Sequence, residues 1–141
     1  EYVISKRYPS SLEIKIIETE LLALLSRRGK SFYIGSNGKL IETEDMVKNL
    51  PYIFGDPNIE KFLSLKRMID SSKLDYNDVE NLFFYPSGRW DIETSSGILI
   101  KLPIENIEKS LELSLNLLDY KQFDNIKSID ARPRNQVITY E

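Results

Sequence analysis

The side chains with which this sequence could do chemistry are carboxylates, amines, guanidiniums and phenols. It has 22 Asp and Glu, 19 Lys and Arg and 8 Tyr, but no His and no Cys. Without imidazole or thiol there is no Ser-His or Cys-His nucleophile, no Cys/His zinc site, no disulfide and no imidazole proton shuttle. Two acidic groups could serve as general acid and base or as oxygen ligands: Glu42, Glu44 and Asp45, and Asp75, Asp78 and Glu80. Neither has the spacing of a known metal loop, and both lie in turn-rich polar stretches, where acids cap helices and face water. Gly35-Ser36-Asn37-Gly38-Lys39 ends like a phosphate loop but lacks the Ser or Thr after the Lys and the helix behind it. Any catalysis would therefore have to rest on carboxylates, Lys or Tyr, and we expect no metal site and no cofactor.

Charge points the same way. A net charge of -3 over 141 residues argues against a nucleic-acid binder driven by phosphate neutralisation. Lys6-Arg7-Tyr8 could neutralise and stack on nucleic acid, but such a tripeptide in an acidic chain reads as a strand whose long side chains cover apolar surface. Arg27, Arg28 and Lys30 read as a solvated loop. Trp90, the single Trp, reads as a core anchor, with Arg89 pointing outward and free to meet a partner carboxylate. Arg132, Arg134 and Asn135 form a basic, polar break before the last strand.

The elements that position these groups follow from periodicity. Glu1 to Tyr8, the turn Pro9-Ser10-Ser11 and the alternating Leu12–Ile16 make a hairpin with one buried face. Leu21–Leu25 is an apolar run that fits a buried strand or one turn of helix. Ser31–Ile34 and Lys39–Ile41 flank Asn37-Gly38, a pair that tolerates positive φ and so signals a hairpin. Asp56-Pro57 looks like an N-cap followed by Pro at the first helical position, and Ile59, Phe62, Leu63, Leu65 and Ile69 make an apolar stripe behind it. A second helix after Pro103 carries Ile104, Ile107, Leu111, Leu115 and Leu118, widened by Leu113 and Leu117. Between the helices, Val79–Tyr85, Arg89–Thr94 and Ile98–Leu102 are turned by Pro86-Ser87-Gly88 and Ser95-Ser96-Gly97 into an antiparallel meander. Ile126–Asp130 and Val137–Tyr140 close the chain. The fold class is α+β: a largely antiparallel sheet of short strands with two main amphipathic helices on it.

The last strand carries the strongest binding expectation. A chain-terminal strand often lies at or near a sheet edge with unpaired backbone groups, and such an edge can accept an extended partner segment by β-augmentation. On that view a Pro at Ile138 removes a ladder donor and abolishes docking while leaving most of the fold. The chain opens at Glu1 inside a strand-like stretch, so it reads as a piece of something longer. No apolar run, Leu21–Leu25 being among the longest, approaches the about 20 residues a bilayer requires.

Five segments in order resemble the FtsQ/DivIB family of bacterial cell-division proteins. They are Lys6-Arg7-Tyr8-Pro9 through Glu18, Tyr33–Ile41, Leu50-Pro51-Tyr52-Ile53-Phe54-Gly55, Arg89-Trp90 through Leu102-Pro103, and Ile129-Asp130-Ala131-Arg132 with the strand after it. Gly35 stands where the family's second hairpin usually has Asp, and Pro133 where an aromatic often follows the Arg. The resemblance implies a single-pass inner-membrane protein whose POTRA and β domains lie in the periplasm. Residues 1–20 would be the C-terminal hairpin of a truncated POTRA domain, and 21–141 the β domain. It implies a scaffold without enzymatic activity that binds FtsB and FtsL and links early and late division proteins at the septum. It also implies that FtsB extends the last strand, which singles out Arg132, Arg134, Asn135, Gln136, Val137, Ile138, Thr139 and Tyr140, with Leu117 on the flanking helix and Arg89 in the turn Ser87–Arg89. A POTRA-like envelope chaperone would share the first hairpin but leave the Arg-Trp strand unexplained. A carboxylate-dependent hydrolase would need two acids facing each other across a cleft.

Overall fold

The computed structural model describes residues 2–3, 17–44, 49–119, 125–133 and 138–141. β1 (Tyr2–Val3) and β2 (Ile17–Glu18) pair antiparallel as a sheet of their own. The other nine strands form one sheet: β3 (Leu21–Arg27), β4 (Lys30–Gly35), β5 (Leu40–Thr43), β6 (Tyr52–Phe54), β7 (Val79–Phe84), β8 (Trp90–Thr94), β9 (Leu99–Lys101), β10 (Ser128–Asp130) and β11 (Ile138–Tyr140). Their order is β11-β10-β9-β8-β7-β6-β3-β4-β5.

Neighbours run antiparallel except at β3/β6, β6/β7 and β9/β10. Parallel neighbours need a crossover, and two of these links are made by the helices. α1 (Ile59–Asp70) carries the chain from β6 to β7, and α2 (Ile107–Leu118) from β9 to β10. Phe62, Leu65 and Ile69 of α1 and Leu111 and Leu115 of α2 share one core with Leu25, Ile53, Leu82, Ile92 and Ile100. Strand side chains alternate between faces, so these positions define the helix-covered face and the residues between them the back face. Trp90 is buried in the same core, its ring 4.8 Å from that of Phe84, as its bulk predicts.

Several local expectations change. Leu21–Leu25 is strand, settled by its pairing with β4 and β6. Arg27 belongs to β3 and not to a solvated loop: its Nε donates to Asp56 Oδ1 (2.7 Å) and its Nη2 to the Pro57 carbonyl (2.9 Å). That occupies Asp56, so Asn58 caps α1 instead, accepting from Lys61 N at 2.8 Å. The tight turn with positive φ at both central residues is Arg28-Gly29 (φ 51° and 76°). At the Asn-Gly hairpin only Gly38 takes positive φ (80°), while the Asn37 side chain accepts from Lys39 N. Ile104 precedes α2 and is exposed, because Asn106 turns the chain left-handed (φ 57°) immediately before the helix. Among the described residues no helix is long and apolar enough to cross a membrane.

Candidate functional site: the C-terminal sheet edge

Among the described residues β11 ends the sheet, paired to β10 alone. The direction of its free backbone groups can be deduced from the ladder. The Leu99 amide donates to the Lys127 carbonyl, and the Ala131 amide to the Lys101 carbonyl, so the odd-numbered residues of β10 address β9. Ser128 and Asp130 therefore address β11 through their partners Tyr140 and Ile138. Tyr140's carbonyl indeed points inward, accepting from Lys127 N at 2.8 Å. Thr139 is the described residue of β11 whose N–H and C=O face outward. The expectation about Ile138 is thus corrected: its amide belongs to the internal ladder, and Pro there would break the fold's own pairing.

Side chains alternate across the same edge. Thr139 pairs with Ile129 on the helix-covered face, while Ile138 and Tyr140 lie on the back face, 39% and 50% exposed. On α2, Glu108 and Glu112 line a cleft with Met68 of α1, which leaves Leu113 and Leu117 on the opposite flank, four residues apart. Leu117 is half-buried there; Leu113, which the sequence marked only as widening an apolar stripe, is exposed.

The back face beside the edge carries a row of charge. In register across four strands stand Asp91 on β8, Lys101 on β9, Asp130 on β10 and Ile138 on β11. Asp91 is buried, with its side chain 2% exposed; it is ion-paired to Arg89 Nη1 and accepts from the Tyr85 hydroxyl at 2.8 Å. Arg89 also lies 4.5 Å over the Tyr85 ring. The hydrogen bond to Asp91 pushes the Tyr85 phenol above the usual tyrosine range. Arg89 is thus on the opposite face from Trp90, but it is held inside this cluster and is not a free outward cation.

Arg132 makes the matching pair at the other end of the row. Its Nε donates to Asp130 Oδ1 (2.8 Å), its Nη2 to Oδ2 (2.6 Å), and its backbone N–H to Oδ1 (3.0 Å). These bonds, the side-chain ones first, hold the Asp130 carboxyl below the usual carboxylate range. Asp130 is buried, while the Arg132 side chain is 45% exposed. Sequence reasoning singled out the two arginines and missed the two aspartates. The signal was there as Arg89-x-Asp91 and Asp130-x-Arg132, since residues two apart on a strand share a face. Arg134, Asn135, Gln136 and Val137 lie outside the described residues.

The acidic groups considered for catalysis do not converge. Glu42 stands 3.7 Å from Lys30, and Asp75 caps a 3-10 turn at Tyr76–Asp78 by accepting from Asn77 N; Asp45 lies outside the described residues. Among the described residues no group of three or more acids comes together as a metal ion requires.

Comparison with known proteins gives the arrangement a family. The family model described as "Cell division protein FtsQ/DivIB, C-terminal" matches residues 23–132. Cell division protein FtsQ of Rickettsia bellii (strain RML369-C) is 26% identical over 139 residues, covering 96% of this chain and 52% of that protein. Cell division protein FtsQ of Rickettsia prowazekii (strain Madrid E) is 26% identical over 141 residues with the same coverage. The chain thus spans about half the length of the curated relatives it matches. The major extracytoplasmic domain of the trans isomer of DivIB from Geobacillus stearothermophilus superposes with a TM-score of 0.50 at 16% identity, covering 75% of this chain and 91% of that one. That likeness is one of fold. With the family match running from Ala23 in β3 to Arg132 just past β10, the chain belongs to the FtsQ/DivIB family of cell-division proteins.

Proposed function

We propose that this protein is the extracytoplasmic part of a membrane-anchored divisome scaffold, acting by protein-protein contact, which receives FtsB and FtsL by adding a partner strand to β11. The observation that carries this reading is the free edge itself: a terminal strand with the Thr139 amide and carbonyl facing outward. Exposed Ile138 and Tyr140 lie on its back face, and α2, with Leu113 and Leu117 on the flank away from α1, packs on the opposite face of the same sheet. An edge of this kind supplies main-chain hydrogen bonds for affinity, and its neighbouring side chains supply selectivity. Arg132, exposed beside the edge in an acidic chain, gives that selectivity a sign, favouring an acidic partner residue. Residues 1–20 are assigned to the end of a POTRA domain and 21–141 to the β domain. The separate β1/β2 sheet supports that division. On the family's behaviour, the anchor is an inner-membrane helix and this region lies in the periplasm.

Titrating the protein with the periplasmic segment of its cognate FtsB tests the reading. Wild type binds. Thr139→Pro, which removes the outward donor from a strand position that tolerates Pro, weakens binding at least about tenfold while leaving the fold intact. A folded wild type that does not bind, or a Thr139→Pro variant that binds normally, overturns it.

A further inference from the structure

The Asp130–Arg132 pair has a property that the docking reading does not require. Asp130 grips the guanidinium from the side, through Nε and Nη2, and a third bond from the Arg132 amide to the same carboxylate fixes the loop that carries the arginine. Nη1 and the outer hydrogen of Nη2 make no hydrogen bond among the described residues, on a side chain that is 45% exposed, with Asp91 and Tyr140 close enough to act on its charge. A guanidinium can take two carboxylates at once in this way, one side-on and one end-on, because its planar fork offers donors along both edges. Asp130 is itself well fixed: it is buried, stands in register between Lys101 and Ile138, and sits on the strand that pairs with the free edge.

We propose that Asp130 is a positioning residue for partner capture, locking Arg132 side-on so that its end-on edge is already set to receive an acidic side chain on the back face of a strand added at β11. This rests on the docking reading above and deepens it by naming the partner's pattern. A residue of the added strand that shares the back face with Ile138 is acidic, and its neighbours along the strand turn toward the helix-covered face. The alternative role for a carboxylate at this place is competitor, an internal mimic that must be displaced before the partner binds. The side-on grip argues against it, because the end-on edge is already open. A locked arginine also loses less conformational freedom on binding than a free one, and that benefit falls on the dissociation rate.

The test is surface-immobilised cognate FtsB periplasmic segment with wild type, Asp130→Asn, Arg132→Ala and the double variant, measuring association and dissociation separately at several salt concentrations. Asp130→Asn accelerates dissociation about tenfold. At low salt it leaves association as fast or faster, because a negative charge beside Arg132 is gone, and it steepens the salt dependence. In the Arg132→Ala background the same change shifts dissociation by less than about twofold, as non-additivity of coupled residues requires. A merely structural role for Asp130 would persist in that background. If Asp130→Asn does not fold, Asp130→Glu moves the carboxylate by one methylene with its charge kept, so faster dissociation and its loss in the Arg132→Ala background are the readouts. Slower dissociation of Asp130→Asn makes Asp130 a competitor and overturns the proposal, as does an effect unchanged by Arg132→Ala. Wild type that fails to hold the segment defeats the docking reading and this role with it. Wild type that binds while Arg132→Ala has no effect defeats the positioning role alone.

Discussion

Arg89 shows how a residue read correctly for type can be misread for availability. Its spacing from Trp90 placed it on the opposite face from the core, and it is there, but Asp91 and the Tyr85 ring occupy it. Because Asp91 is nearly inaccessible, removing Arg89 leaves an uncompensated buried carboxylate, a loss of about 3–5 kcal/mol. Arg89→Ala therefore unfolds at markedly lower temperature or denaturant concentration, and an unchanged midpoint would show that Asp91 is not held by this pair. Any loss of partner binding in Arg89→Ala must accordingly be judged against its stability. Arg132 is the reverse case, with one edge held and the other open. The sequence contains both Arg/Asp spacings but cannot say which arginine keeps a free edge, because that depends on burial by strands distant in the chain.

At the scale of elements, the apolar stripes of both helices and the meander β7-β8-β9 were legible because their periodicities are strong. The helix start at Asp56-Pro57 was missed because a distant residue intervened. Asp56 and Pro57 have the form of a helix start, yet Arg27 reaches across 29 positions to take both the Asp carboxylate and the Pro carbonyl, and the cap moves to Asn58. The same loop holds Gly55 at φ 103°, where an added Cβ would stand 2.2 Å from the Phe84 carbonyl oxygen. Neither that close approach to a neighbouring strand nor that φ admits a side chain. Gly55→Ala should cost at least about 2 kcal/mol, read from chemical denaturation, whereas Gly29→Ala, strained at φ 76° but open to solvent, should cost less. Equal losses would mean that the β6–β7 approach relaxes freely.

For the whole molecule, the α+β class and a C-terminal edge strand could be read from the sequence, but the strand order could not. Nothing local says that β6 inserts between β3 and β7, or that β9 and β10 run parallel across α2; those neighbours are set by burying two helix stripes on one face. The order matters for function, because it leaves β11 outermost and, through the β9/β10 register, turns Thr139 and not Ile138 toward the open side. Docking at the β11 edge is read most directly by amide exchange at Thr139, followed with and without the cognate FtsB periplasmic segment. The Thr139 N–H should exchange freely in the isolated protein and become protected in the complex, while the inward amides of Ile138 and Tyr140 change little. Full binding with the Thr139 amide still exchanging freely would contradict it.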